Sequence, residues 1–496
     1  MKRRRIPRAI KTMALSAFLL VTAILPGCYG QAPLAEPLPD NQPTISVVAI
    51  KVDKGNFDGD MVATALNEYV APLIGARVEL RYVEVELYNQ TFSKYSATNS
   101  MPDVLMMTSS QLATQLRREG QLKPLGALLE EYGAAITQTI GDELLAAHTY
   151  GGEVYAVASM MNRSYCLCFE YRKNIADSYS LDMSSVSTLE DLTAVLLELK
   201  QKSDDVVPIS EYSIVSWDPL SDSLGVLMDN GQSTQVVNLY ETEEYWDIFR
   251  YVNRWRQEGL LLDRDYGLTS INSFVRSPEF FGKICTFGPG LPYVDSTDAG
   301  EPIECVILGE PFIIIDRNRR GSWGISAGSQ HPEESMKFIN LLYTDPYVVN
   351  LLIYGIEGVH YEVVDAENGV IDFPEGVAVE SSGYSQFRGY FFGNQFIGHI
   401  WHGWPYDLWD QIRVFDAEAA RSYAYGFTYD PAPVAEQVRA CREVVSEYTP
   451  MLEGGYGDAV ELLSGLCAAL KQAGIDEIVA GKQAQLDSWV EAGKPQ

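Results

Sequence analysis

Residues 44–85 read TISVVAIKVDKGNFDGDMVATALNEYVAPLIGARVELRYVEV, and they contain the pattern that decides the fold. Ile45 to Ile50 is a short apolar run of the kind a strand buried on both faces carries. Lys51 to Gly59 supplies Gly and Asp for a loop. Asp60 then stands as a helix cap before Met61, Ala65, Leu66 and Tyr69, whose spacing marks one helical face. Val78 to Val85 alternates like a half-buried strand. Strand, helix and strand in succession predict an α/β fold with a largely parallel sheet.

The rhythm continues outward. Val104 to Met107 is another strand, followed by helices over Leu112 to Glu119 and Leu122 to Tyr132. Val154 to Val157 and Tyr165 to Tyr171 read as strands. Thr188 and Asp191 form a capping-box pattern ahead of Leu192, Val195, Leu196 and Leu199. Val206 to Ile209, Ile284 to Phe287 and Pro311 to Ile315 read as strands, and Glu243 to Glu258 as a helix. Pro332 and Asp345-Pro346 open two more helices. Tyr384 to Tyr429 holds 15 aromatics in 46 residues, against 11% for the whole chain, so aromatic rings are concentrated there. Three amphipathic helices are expected near 434–448, 458–473 and 475–491.

The N-terminus has a separate reading. Lys2, Arg3, Arg4, Arg5, Arg8 and Lys11 precede the apolar stretch Met13 to Leu25, which is short for a membrane span and suits a signal peptide. Leu25-Pro26-Gly27-Cys28 resembles a bacterial lipobox, although Pro26 replaces the usual small residue. The expectation is a leader over 1–27, lipidation of Cys28 and a flexible tether over 28–43. The chain would then lie on the outer face of the cytoplasmic membrane. The net charge of −30 over 496 residues opposes nucleic acid as a partner.

Six further cysteines, Cys166, Cys168, Cys285, Cys305, Cys441 and Cys467, are too sparse for a disulfide scaffold. Cys285–Cys305 and Cys441–Cys467 are pairings the sequence permits. Three motifs mimic chemistry. Gly324-Ile325-Ser326-Ala327-Gly328 fits a nucleophile elbow, but no helix starts at Ser326. His399 and His402 have a metal-like spacing between flanking glycines. Gly481-Lys482 lacks the first glycine of a phosphate loop. No catalytic residue, metal or cofactor is expected.

The order of short blocks resembles the extracellular solute-binding proteins of carbohydrate ABC importers, the maltose-binding-like class. The blocks are Met101-Pro102-Asp103-Val104, Leu122-Lys123-Pro124-Leu125, Gly152-Glu153-Val154-Tyr155, Phe169-Glu170-Tyr171-Arg172-Lys173 and Trp323-Gly324-Ile325. Tyr343-Thr344-Asp345-Pro346, Gly355-Ile356-Glu357-Gly358, Gly393-Asn394-Gln395-Phe396, Gly426-Phe427 and Lys482-Gln483 resemble a lipoprotein subgroup with a long C-terminal extension. The resemblance implies two α/β lobes around a ligand cleft, with closure on binding. It places lobe one at 44–155 and 306–350, and lobe two at 156–305 and 351–496.

The resemblance also implies a carbohydrate ligand, an ABC permease partner and a monomer that is not an enzyme. A sugar offers hydroxyls and flat C–H faces, so rings and short polar groups should converge on it. By position the expected contacts are Trp217 and Tyr293 from lobe two, Asp58 and Ser109 from lobe one, and Asn394, Gln395 and Trp401 from the aromatic segment. A glycan hydrolase and a peptide receptor are the alternatives. The first requires turnover through a carboxyl pair; the second requires backbone pairing and fewer rings.

Overall fold

A computed structural model describes residues 42–51, 57–84, 87–262, 273–314, 321–379, 381–384 and 389–493. The leader, Cys28 and most of the tether lie outside the described residues. The first sheet has the strand order Arg77–Glu84, Thr44–Lys51, Val104–Met107, Ser322–Ile325 and Val157–Ala158. The first three are parallel, and Ser322–Ile325 runs antiparallel to both its neighbours. Val47, Val48 and Ile50 are fully buried, as the apolar run requires of a strand covered on both faces.

The second sheet has the order Ile303–Ile307, Cys166–Arg172, Phe280–Phe287 and Val207–Tyr212. Phe280–Phe287 is parallel to Val207–Tyr212 and antiparallel to Cys166–Arg172. One face packs on the helices Leu189–Lys202 and Glu243–Gln257 through Phe169, Ile209, Phe281 and Ile284. The predicted capping box is present: Asp191 N–H donates to Thr188 Oγ1 at 3.1 Å, and Thr188 N–H donates to Asp191 Oδ2 at 3.1 Å. The C-terminal helices Ala435–Gly454, Ala459–Ala473 and Ile475–Glu491 add Cys441, Leu452, Leu466 and Ile478 to this same core.

From Asp40 onward the chain is one unit that holds two large cores, one per sheet. Their composition corrects the expected boundaries. Ile303–Ile307 pairs with Cys166–Arg172 along its whole length, so lobe two extends to Ile307 rather than stopping at 305. Leu351, Leu352, Tyr361, Ile371, Tyr384, Phe392 and Trp401 bury themselves in the first core. These residues thus belong with lobe one, whereas the helices from Ala435 onward belong with lobe two. The apolar face of the helix Pro346–Tyr354 is nearly continuous, and it carries the following segment onto the first sheet.

Smaller differences have local causes. The helix after the first strand spans Gly59–Ile74, with Asp58 rather than Asp60 at its cap position. The helix expected from Leu122 begins at Gly126, because Leu122 is engaged in a bridge to Ser326. Ala134–Ala146 is a helix that the sequence reading missed; Gly141, at φ +71°, kinks it and interrupts the helical pattern.

Candidate ligand-binding cleft

Three stretches carry the chain between the two cores, and they are stitched to one another. Tyr165 and Phe312 exchange backbone hydrogen bonds at 3.0 Å in both directions. Ser159 N–H donates to Gly321 O at 2.7 Å and Met160 N–H to Gly393 O at 2.7 Å. Phe312-Ile313 pairs with Ala420-Arg421. The buried Asp416 carboxylate accepts from Arg163 N–H at 3.0 Å, Ser164 N–H at 2.8 Å and Ser164 Oγ at 2.6 Å. The described parts of the three stretches thus form one hydrogen-bonded junction between the cores, which we take as the hinge.

Ligands of α/β sheets bind beyond the carboxyl ends of the strands. In the first sheet those ends lead into the loops before Asp58 and at Ser109. In the second they lead into 213–217 and 288–293. The last of these loops rests on the hinge: a Cβ at Gly288 would stand 1.9 Å from Asn162 Nδ2. Tyr293 packs against Ile400, Leu408 and Ile412 of the aromatic segment. Trp404 Nε1 donates to Thr297 Oγ1 at 2.8 Å.

Each expected site residue has a definite place. Asp58 keeps its side chain 42% exposed while Oδ2 lies 3.3 Å from His360 Nε2. His360 Nδ1 accepts from Ile356 N–H at 2.9 Å, so Nε2 carries the proton and donates to Asp58. Ser109 caps the helix Ser110–Arg118 by accepting from Leu112 N–H at 3.2 Å. Tyr293 is partly exposed on the helix Leu291–Ala299.

The remaining four are structural in their contacts. Trp217 is only 6% exposed and belongs to the second core, 6.4 Å from the Tyr245 ring. Asn394 accepts from Phe396 N–H at 3.1 Å and donates to Tyr343 O at 3.3 Å. Gln395, next in the chain, and Trp401 are buried as well. Trp401 stands edge-on to Tyr354 at 5.7 Å and near Phe373 at 4.5 Å. Asp58, Ser109 and Tyr293 thus follow strand ends and keep part of their surface exposed, whereas Trp217, Asn394, Gln395 and Trp401 are buried.

Sequence reasoning missed several groups, because their partners are far away in the chain. Asn162 lies at the hinge beneath Gly288, with its Oδ1 buried and unpartnered. Glu143, on the first-lobe helix Ala134–Ala146, receives Arg421 Nη2 at 3.1 Å, Arg163 Nη1 at 3.5 Å and the Tyr425 hydroxyl. Arg118 reaches Asp430 at 3.5 Å. These ion pairs join lobe one to the hinge and to the chain beyond it. On the strand Phe280–Phe287, Lys283 bonds Asp295 at 2.8 Å and the fully buried Glu170 at 3.0 Å. Burial and the Asp295 carboxylate push Glu170 up to about 8. Burial opposes the Lys283 ammonium, but Asp295 and Glu170 outweigh it and hold its pKa up. The helix Leu291–Ala299 has no buried residue; this network, together with the Ile303 N–H donated to Ser296 Oγ at 2.8 Å, fastens it to the sheet.

A family model described as a domain of unknown function, DUF3502, matches residues 423–491. A carbohydrate ABC transporter substrate-binding protein of Streptococcus pneumoniae is 23% identical over 464 residues, which is 92% of each chain. The crystal structure of the N-glycan transport solute binding protein NgtS from the same species superposes with a TM-score of 0.80 at 21% identity, covering 91% of this chain and 99% of that one. The NgtS complex with Man5GlcNAc superposes at 0.76 and 22% identity, covering 92% and 100%. The fold is that of the two-lobed solute-binding proteins.

Within this solute-binding fold the mimics of other chemistry have ordinary roles. Ser326 is 2% exposed, and its Oγ accepts from Gly328 N–H at 3.3 Å. His399 and His402 lie at the short strand Ile400–Trp401, not on a helix, and turn to Gly369 O and Asp372 respectively. Among the described residues the six cysteines are free thiols. Cys285 and Cys305 sit on strands that flank Cys166–Arg172, about 10 Å apart at the usual strand spacing and beyond disulfide reach. Cys441 and Cys467 turn to different carbonyls, Leu470 O and Tyr240 O. No described helix is long and apolar enough to cross a membrane.

Proposed function

We propose that this protein is an extracellular receptor that captures an oligosaccharide between its lobes and delivers it to an ABC permease. The observation that carries the reading is the joined architecture: two α/β lobes on a hydrogen-bonded hinge, matching a sugar-binding solute receptor over nine-tenths of both chains. Asp58 and Ser109 from lobe one and Tyr293 from lobe two are the proposed contacts. Trp217, Asn394, Gln395 and Trp401 shape the walls behind them. A ligand that touches both lobes favours the closed form, and only that differential affinity can drive closure. Glu143 and Arg118 add interlobe ion pairs to the same equilibrium.

A thermal-shift panel of oligosaccharides tests the reading. A ligand at 100 times its dissociation constant stabilises the native state by about 2.7 kcal/mol, and melting should rise by a few degrees. If no saccharide raises the melting temperature, and titration calorimetry detects no heat of binding, the receptor reading fails. Turnover of the ligand during the titration would favour the hydrolase.

The proposed anchor is Cys28. Cys28→Ser should release the protein to the medium or leave an unprocessed precursor. Membrane retention with unchanged N-terminal processing would remove lipidation from the account.

A further inference from the structure

The second sheet has two unlike faces. One buries Phe169 and Ile284 against helices. The other carries Cys168 and Glu170 on the inner strand Cys166–Arg172. Cys285 faces Cys168, while Lys283 and Cys305 face Glu170 from either side. Facing residues, and alternate residues of one strand, share a face. This face is thinly covered. The helix Leu291–Ala299 reaches it through Asp295 and buries none of its own residues. Cys168 is buried, whereas Cys285 and Cys305 are partly exposed.

Two of these thiols are in contact. Cys168 Sγ and Cys285 Sγ lie 3.6 Å apart. Directly opposed residues of an antiparallel pair have Cα atoms about 4.5–5.5 Å apart, inside the roughly 4.4–6.8 Å that a disulfide spans. A bond between them leaves the register of both strands intact. The other thiols of this face are less well placed. Cys305 also hydrogen-bonds Cys168, but it lies on the diagonal, where neighbours stand roughly 7–8 Å apart. Cys166 faces Phe287.

A base stands beside the pair. The Cys285 thiol donates to Glu170 Oε2 at 3.9 Å, and Glu170 Oε1 is buried with no partner. Contact with Cys168 and burial hold the Cys285 thiol well above its ordinary range, so its sulfur needs an acceptor for the proton as it attacks. Glu170, itself raised by burial and Asp295, is a stronger base than an ordinary carboxylate.

We infer that Cys168 and Cys285 are a redox modification site, at which a peroxide forms a disulfide across the second sheet. Cys285 Sγ attacks one peroxide oxygen and its proton passes to Glu170. The O–O bond breaks, and the departing oxygen takes that proton and leaves as water. Cys285 is now a sulfenic acid. Cys168 Sγ attacks the Cys285 sulfur, and its proton leaves with the displaced hydroxide as a second water. Two thiols thus lose two electrons and two protons, and one hydrogen peroxide becomes two waters. The bond joins residues 117 apart in sequence, so it restricts the unfolded chain and braces the lobe. The site is independent of the ligand that fills the cleft.

Peptide mapping of the full chain tests the inference. The folded protein is treated with hydrogen peroxide, quenched, alkylated in denaturant and digested for mass spectrometry. A bridged pair of peptides holding Cys168 and Cys285 should appear and vanish with dithiothreitol, and Cys305 should carry the alkyl label. Cys305→Ala should keep the bridge. Cys168→Ser should abolish it and leave a sulfenic acid at Cys285 that dimedone traps; should that variant fold poorly, the map of the parent decides alone. The bridged parent should unfold at a higher urea midpoint than the reduced one. A bridge to Cys305, a sulfinic acid at Cys285 without a bridge, or full alkylation of both cysteines overturns the site. A bridged chain with the midpoint of the reduced one overturns the brace.

Discussion

Lys482→Met is expected to destabilise the second lobe by about 3–5 kcal/mol, the loss seen when one member of a buried ion pair is removed. Lys482 is fully buried and pairs with Asp222, whose side chain is 3% exposed. Its ammonium also donates to Gly225 O at 2.9 Å and Leu220 O at 3.1 Å, and stands 5.0 Å from the Tyr429 ring. Burial lowers the lysine pKa, and the Asp222 carboxylate works against that fall. The loop it holds is costly to build. Leu220, Ser221, Ser223, Asp229 and Asn230 all have positive φ, a region that disfavours side chains with a Cβ. Beside Lys482, Gln483 accepts from Val236 N–H at 2.7 Å and donates to Thr234 O at 3.3 Å. The C-terminal helix therefore clamps the loop that begins at Trp217.

Methionine keeps the length of the lysine stem and removes the ammonium with its three N–H donors, which leaves Asp222 and two carbonyls stranded. The measurement is the urea midpoint at constant m-value. Adding Asp222→Asn should recover a large part of the loss, because it removes the stranded carboxylate. A single variant within 1 kcal/mol of the parent would show that water reaches the site and that the clamp is not ionic.

The clamp also marks what the sequence could disclose. Lys482-Gln483 stands out by resemblance to a family block, and the helix that carries it is legible from its periodicity. Its partners are not legible, because Asp222 is 260 residues away and an ordinary acidic residue in a polar loop. The same holds for Glu143 with Arg421, and for Asp416 with Arg163. Local patterns disclosed the strands, the capping box at Thr188 and the three C-terminal helices. Trp217 looked like a platform for sugar because it follows a strand. Its burial against Tyr245 is set by the next helix, and nothing near Trp217 in sequence reports that. The lobe boundary failed for a related reason. A lobe is defined by which core receives a side chain, and an apolar run such as Val348 to Ile353 suits either core.

The hinge supplies the other large effect. Gly393→Ala is expected to cost about 2–5 kcal/mol, combining an αL penalty of about 1–2 with an overpacking penalty of about 1–3. Gly393 has φ +74°, and a Cβ there would lie 2.3 Å from Leu342 O and 2.7 Å from Leu342 Cβ. Neither contact can yield cheaply, because one atom is backbone of the helix Pro332–Thr344. The residue must then move away from Leu342, and its carbonyl is the acceptor for Met160 N–H. Next to it, Phe391 O accepts from Ser159 Oγ at 3.1 Å and Trp323 Nε1 at 2.8 Å. Displacing this stretch of the hinge loosens its grip on the other two. Gly403→Ala is the control: it has φ +87° with nothing within 4 Å of its Cβ, so it incurs the conformational penalty alone. Hydrogen exchange at the Met160 amide should quicken in Gly393→Ala and stay at the parent rate in Gly403→Ala. Whichever saccharide the thermal-shift panel identifies should bind Gly393→Ala more weakly, since the lobes no longer share a fixed axis of closure. Equal melting temperatures for the two variants, with Met160 still protected in both, would mean that the hinge segment can shift without cost and that the third crossing does not position the lobes.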